Sequence, residues 1–210
     1  MRPRLYIFAK APAMGKAKTR LAKDIGKVHA HRLYRTMLST VIRNVQDPKW
    51  DTVLMATPAR AIGDVREWDG LMQIPQATGS LSPRLLAAFA NKGPTLVIGT
   101  DCPQITRNDI ADAFTALKQH AAVFGPADDG GFWLMGMNGP VKPTVFDNVR
   151  WSHDQTLNDV EANIEGSVHH LRTLIDVDAL RLCGRFVLFR LGSFSIGIDL
   201  SRKHGEGFIN

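Results

Sequence analysis

The stretch that most limits what this chain can fold into is residues 94–100, PTLVIGT, a run of apolar and β-branched side chains without polar alternation. A strand of that composition is covered on both faces, the usual situation inside a largely parallel sheet. Arg4–Lys10 (RLYIFAK) and Asp51–Thr57 (DTVLMAT) read the same way, the second closed by Pro58, and residues 71–75 form a short third strand. Between the first two, Leu33, Met37 and Val41 recur at i, i+4 and i+8, with Tyr34, Leu38 and Val45 beside them, which predicts a helix. Ser82 and Pro83 read as an N-cap followed by Pro at the first helical position, opening RLLAAFA. Thr106 and Asp109 have capping-box spacing ahead of the helix IADAFTALKQH. Residues 121–125 and 132–137 are two strands around a polar, Gly-rich turn. Residues 152–155 start another helix that ends near Gly166, and residues 168–174 are a further strand. Strands alternating with helices predict an α/β fold, a three-layer α/β/α sandwich with a mostly parallel central sheet.

With 210 residues, 44% of them hydrophobic, the chain can build one sizeable core. We expect one domain over residues 1–184 and a C-terminal appendage over residues 185–210. Cys102 and Cys183 have neither CxxC spacing nor the density of a disulfide framework, and they suit a reducing compartment. Lys10 interrupts the N-terminal apolar run, and Arg190 and Asp199 break the later one at residues 186–200. Neither spans a bilayer, so the expectation is a cytoplasmic protein without a membrane partner.

Residues 1–50 carry twelve lysines and arginines against Asp24 and Asp47, a local +10 that leaves −4 for the remainder. Charge gathered at one end calls for an anionic partner. Nucleic acid is disfavoured, because the basic segment lacks interleaved stacking aromatics and any binding motif. Lys23, Lys27, Arg35 and Arg43 read as a solvated helix face.

Three loops follow strands, where parallel sheets place their ligand crevices. In the first, KAPAMGKAKTRL, small residues and Gly15 let backbone approach a ligand, while Lys10, Lys16, Lys18 and Arg20 supply positive charge. The spacing matches neither a Walker A loop nor GxGxxG, and a phosphate site and a merely basic surface loop both remain open. The second, GTDCP, puts Asp101 at the end of a buried strand. There it either holds a hard cation such as Mg²⁺ or caps the following turn. The third, GPADDGG, reads first as an ordinary hairpin turn, while its two acids beside two glycines also suit a metal- or sugar-binding loop. Asp176 and Asp178 alternate after the last strand and offer two more carboxylates or a helix cap. The pairs His29/His31 and His169/His170 lack the i, i+4 spacing of helical metal ligands.

Taken in order, FAKAPAMGKAKTRLA, VIGTDCPQI and GPADDGGFWLMG resemble the radical-SAM/selenodomain-associated transferase family of the nucleotide-diphospho-sugar transferase superfamily, glycosyltransferase-A-like proteins. The likeness covers roughly residues 4–180. The KTRL step is also similar to the phosphate loop of sugar nucleotidyltransferases and of phospholactate guanylyltransferase. The resemblance implies nucleotide binding by Ala9, Lys10, Ala11, Gly15, Lys18 and Arg20, with Lys18 and Arg20 catalytic. It extends nucleotide binding to Gln76, Gly79 and Arg84, assigns Asp101 and Asp178 to a metal (Mg²⁺ or Mn²⁺), and places Asp129, Gly130 and Gly131 on the acceptor side. Where the family has Gln-Gly-x-Gly-Asp-Leu-Gly, this chain reads QATGSLS, and after Asp178 it departs again. The implied activity is metal-dependent transfer from a nucleotide-sugar or a nucleoside triphosphate to a small-molecule acceptor. Glycosyl transfer is preferred slightly over nucleotidyl transfer, and a catalytically impaired nucleotide-binding module is the remaining alternative.

Overall fold

The computed structural model describes residues 2–177 and, as backbone, the strands Phe186–Leu191 and Phe194–Asp199. Seven strands make the main sheet: β1 Arg4–Lys10, β2 Asp51–Thr57, β3 Met72–Pro75, β4 Gly93–Ile98, β5 Ala122–Pro126, β6 Phe132–Gly139 and β7 Val168–His170. Their spatial order is β3-β2-β1-β4-β6-β5-β7. Every pairing is parallel except those of β6 with β4 and β5. The fold is therefore the mostly parallel, doubly covered sheet that the alternation of strands and helices predicts.

The two covered faces follow from side-chain alternation along β1. Leu5, Ile7 and Ala9 pack with Leu38 and Val41 of helix α2 (Lys27–Val45) and with Ile110 of α4 (Arg107–Ala116). Tyr6 points the other way, into a core shared with Leu85 of α3 (Leu81–Ala88) and Val160 of α5 (Thr156–Glu161). A smaller cluster joins α1 (Thr19–Ile25) to α2 through Leu21, Ile25, Leu33 and Met37. Met135 and Met137 share one core, as their alternation in β6 predicts.

Helix α4 starts on the expected capping box, with the side chains of Thr106 and Asp109 each bonded to the other's backbone amide. Three local expectations give way to tertiary contacts. Helix α3 begins two residues earlier than Ser82 and Pro83 suggest, with Ser80 at the N-cap and Pro83 inside the first turn. Pro is tolerated there because first-turn amides have no intrahelical acceptor. The Ser82 hydroxyl instead accepts a hydrogen bond from Trp151 Nε1 at 2.9 Å. Helix α5 has only six residues, and the strand expected over residues 168–174 shortens to β7 plus an isolated parallel bridge between Ala127 and Leu174.

The strands Phe186–Leu191 (β8) and Phe194–Asp199 (β9) pair antiparallel as a separate two-stranded sheet. The expected boundary at residue 184 lies outside the described residues. Among the described residues, no helix is long and apolar enough to cross a membrane.

Candidate active site

β1 lies between β2, which follows it in sequence, and β4, to which the chain returns only after β3. Such a reversal of winding leaves a crevice at the carboxyl ends of the two diverging strands. The basic loop after β1 and Asp101 after β4 both open there, into a cleft of about 480 Å³.

Several contacts shape the basic loop. The Tyr34 hydroxyl, projecting from α2, donates to the Lys10 carbonyl at 2.7 Å and accepts from the Lys10 amide at 3.2 Å. The Ala11 amide donates to the Thr57 carbonyl at 2.8 Å, tying the loop to the end of β2. Burial, and the Asp101 carboxylate behind it, push the Tyr34 phenol up to about 12 despite hydrogen bonds to Thr100 and Lys10, so it stays neutral. Gly15 turns the loop at φ 71°. Lys18 then enters α1 as its N-cap residue with left-handed backbone (φ 51°, ψ 47°), an uncommon conformation for a side chain of this size.

That backbone sends Lys18 inward. Its side chain is 3% exposed, and its Nζ lies 2.8 Å from Asp101 Oδ1 and 3.9 Å from Asp176 Oδ1. Burying an ammonium is costly unless carboxylates compensate it, and both do so here. Asp101 itself is 45% exposed on its side chain, so it faces the lysine on one side and the cleft on the other. Arg20 lines the same cleft, one helical residue beyond Thr19, and Lys10 and Lys16 stand at its margin; Lys10, Lys16 and Arg20 are all exposed.

The segment bearing Asp176 is held by backbone contacts. The Val177 amide donates to the Asp101 carbonyl at 3.0 Å, the Asp176 amide donates to Asp128 Oδ1 at 2.9 Å, and the Asp128 amide donates to the Leu174 carbonyl at 3.0 Å. Three loops are thereby joined into one acidic corner. Cys102, 2% exposed within it, registers that field: burial first, then the carboxylates of Asp176 and Asp101, push its thiol far up. It is an inert filler rather than a nucleophile.

The opposite wall is built by the loop after β3. Gln76 Nε2 donates to the Met55 carbonyl at 2.8 Å, while Arg84 reaches Gln76 Oε1 at 3.4 Å and the Gly79 carbonyl at 3.1 Å. Gln76 and Arg84 line the cleft and brace each other. The turn between β5 and β6 is the hairpin that its composition allows. The Gly131 amide donates to Asp129 Oδ1 at 3.0 Å, and the Gly130 carbonyl accepts from Leu157 of α5 at 3.0 Å. Gly130 has φ 87°, and any Cβ there would collide with the backbone of Asp154.

Of the residues singled out from the sequence, Ala9, Lys10, Lys18, Arg20, Gln76, Arg84 and Asp101 line the common cleft. Ala11, Gly15 and Gly79 shape its loops without lining it, and Asp129, Gly130 and Gly131 form the adjacent hairpin turn. Asp178 lies outside the described residues. Sequence reasoning left out Tyr34 and passed over Asp176 in favour of Asp178. The signal for Asp176 was its place in the Asp-Val-Asp alternation, and Tyr34 was the one polar-tipped side chain on an apolar helix stripe. Lys23, Lys27, Arg35 and Arg43 are exposed, as a solvated helix face requires. Trp151 is half-buried against the α3/α5 core.

Among the described residues, no group of three or more His, Cys, Asp or Glu is placed to hold a metal ion. What the corner does contain is a buried cation, the Lys18 ammonium, between the carboxylates of Asp101 and Asp176. Hard oxygen donors around a positive charge suit Mg²⁺, which commonly takes one or two protein carboxylates and completes its shell with substrate phosphates and water.

The chain is similar in structure to a Desulfovibrio desulfuricans G20 protein provisionally named a nucleotide-diphospho-sugar transferase. The TM-score is 0.76 and the identity 26%, over 85% of this chain and 83% of that one. It shares its fold with a 4-diphosphocytidyl-2C-methyl-D-erythritol synthase from Anaerococcus prevotii DSM 20548 (TM-score 0.50, 13% identity, 88% and 94% covered). It also shares it with a mycobacterial homologue, from strain JC1, of Mycobacterium tuberculosis rv0371c (TM-score 0.51, 16% identity, 85% and 92% covered). No curated protein matches the chain. The model of a family described as "uncharacterized protein conserved in bacteria" (DUF2064) matches residues 40–153.

Proposed function

From the premise that this chain belongs to the DUF2064 family and has the nucleotide-diphospho-sugar transferase fold, we propose that it is a transferase that binds the phosphates of a nucleotide donor in the cleft between β1 and β4. The observation that carries this reading is the convergence of the basic loop and Asp101 on one cavity, sealed by the Lys18–Asp101 contact. Lys10, Lys16 and Arg20 would neutralise the phosphates, and Arg20 would stabilise charge that develops on the leaving group. Catalysis of this kind is mainly positioning and electrostatics. Gln76 and Arg84 would border the nucleoside, and Asp129, Gly130 and Gly131 the acceptor. Asp101, with Asp176 beside it and Asp178 following, would hold a Mg²⁺ or Mn²⁺ ion, which supplies Lewis-acid stabilisation to phosphate oxygens when bound.

Glycosyl transfer from a nucleotide-sugar is the first reading, supported by the likeness to the Desulfovibrio protein and by its name. Nucleotidyl transfer is the second, favoured by the number of cations on one short loop, which suits a triphosphate. Nucleoside triphosphates and nucleotide-sugars should be titrated calorimetrically with and without Mg²⁺, and the products identified by chromatography. Release of a nucleoside diphosphate identifies glycosyl transfer, and release of pyrophosphate identifies nucleotidyl transfer. Metal-dependent binding without turnover leaves a binding module, and absence of any nucleotide binding ends the proposal.

A further inference from the structure

Lys18 lines the cleft, yet unlike the exposed Lys10, Lys16 and Arg20 its side chain is only 3% exposed, with Nζ between Asp101 and Asp176. The left-handed N-cap conformation directs it there, and Val177, bonded through its amide to the Asp101 carbonyl, keeps the second carboxylate in place. Asp101 keeps its other side toward the cleft.

The geometry points to Lys18 as a resident counter-ion that holds the cation position between the two carboxylates and weakens divalent-metal binding until a nucleotide arrives. Two neighbouring carboxylates without a cation repel each other, and the ammonium removes that repulsion. A divalent ion entering beside it would meet a like charge a few ångströms away in a half-buried setting, where such repulsion is strong. Donor phosphates change the balance. They offer the ammonium an alternative anion in the same cleft, leave the carboxylates to the metal, and add oxygen ligands to it. Metal and nucleotide therefore bind as a coupled pair, and the free protein takes up metal weakly. This coupling is reciprocal, so the metal raises nucleotide affinity by the factor by which the nucleotide raises metal affinity.

The inference rests on the proposed placement of the metal at Asp101, and its test uses no nucleotide, so failure of the donor-binding experiment is a separate result. Mn²⁺ alone is titrated, by the loss of its free-ion electron paramagnetic resonance signal, into the wild-type protein, Lys18→Met, and Lys18→Met combined with Asp101→Asn. Methionine retains the length of the lysine stem without its charge. The expected result is Mn²⁺ affinity higher in Lys18→Met than in wild type by on the order of tenfold or more, returning to the wild-type level in the double variant. No gain in Lys18→Met, or a gain that survives Asp101→Asn, overturns the inference. A second measurement needs only the wild-type chain: acetylation of its lysines followed by mass spectrometry. Lys18 should be protected without metal and label several-fold faster at saturating Mn²⁺, when the carboxylates exchange it for the ion. Equal protection at saturation also overturns it.

Discussion

Tyr34 shows how a single side chain in the core of α2 reaches into the chemistry of the cleft. Its hydroxyl spans the amide and carbonyl of Lys10, the last residue of β1, and so sets the path of the loop that carries Lys16, Lys18 and Arg20. Burial raises its phenol from 10.0 to about 12, so the neutral form is the stabilised one. A group raised in the folded state contributes fully below its unfolded value, and the contribution is lost as pH climbs from 10.0 to about 12. Tyr34→Phe should therefore lower stability at pH 7 by about 1 kcal/mol, and its urea midpoint should approach that of wild type as pH rises through the same window. A constant difference across that window would mean that the phenol does not titrate against this environment. Lys18 and Asp101 belong to the same scale, and the direction of the ammonium was not legible. A Lys-x-Lys-Thr-Arg string gives charge, whereas the backbone angle that buries one lysine and exposes its neighbours depends on what α1 packs against.

Helix α4 shows the opposite case, an element whose boundary is written locally and then reinforced from far away. The capping box of Thr106 and Asp109 was visible from spacing alone. What spacing could not show is Arg172, whose Nε and Nη2 grip both carboxylate oxygens of Asp109 at 2.7 and 2.8 Å. Its Nη2 also donates to the Gln104 carbonyl at 2.9 Å. This contact pins the strand-end segment after β7 to the loop that leaves Asp101. Burial alone would push the Asp109 carboxyl up, but bonds from Arg172 and from the Thr106 hydroxyl and amide outweigh it and hold the group below the ordinary carboxylate range. The sign is that of a depressed acid: the stabilisation is complete above the unfolded value and drains away as pH falls through the folded one. Arg172→Met should cost about 2 kcal/mol at pH 7, and its deficit relative to wild type should narrow below about pH 4, as followed by chemical denaturation at both pH values. An equal deficit at both would remove the charged pair as the cause. Helix α3 departs from its local start signal, because the Ser82 hydroxyl accepts from Trp151 and the N-cap position falls to Ser80.

For the whole molecule, the uneven charge becomes intelligible once the sheet order is known. Nine of the twelve cations in residues 1–50 divide between α1 and α2 (Lys23, Lys27, Arg32, Arg35 and Arg43, all exposed) and the cleft, where Lys10, Lys16 and Arg20 remain exposed while Lys18 is neutralised. If the exposed cleft cations bind phosphates, nucleoside triphosphate affinity in the presence of Mg²⁺ should fall by roughly three- to tenfold between 50 and 300 mM NaCl, as screening shortens their reach. Affinity independent of salt would place recognition on the nucleoside wall of Gln76 and Arg84 instead. By itself, the sequence determined the layered α/β architecture, the strands β1, β2 and β4, the capping box of α4 and the two loops that meet at the cleft. All of these are set by periodicity, β-branching and turn chemistry within a few residues. Only the tertiary structure decided that Asp176 joins Asp101 beside Lys18, that the lysine is buried in the wall of the cleft, and that Tyr34 and Arg172 hold the two loops in place. Those contacts depend on β4 pairing beside β1 and on β5 pairing with β7. Such pairings are chosen by the burial of the whole sheet, and no local pattern encodes them.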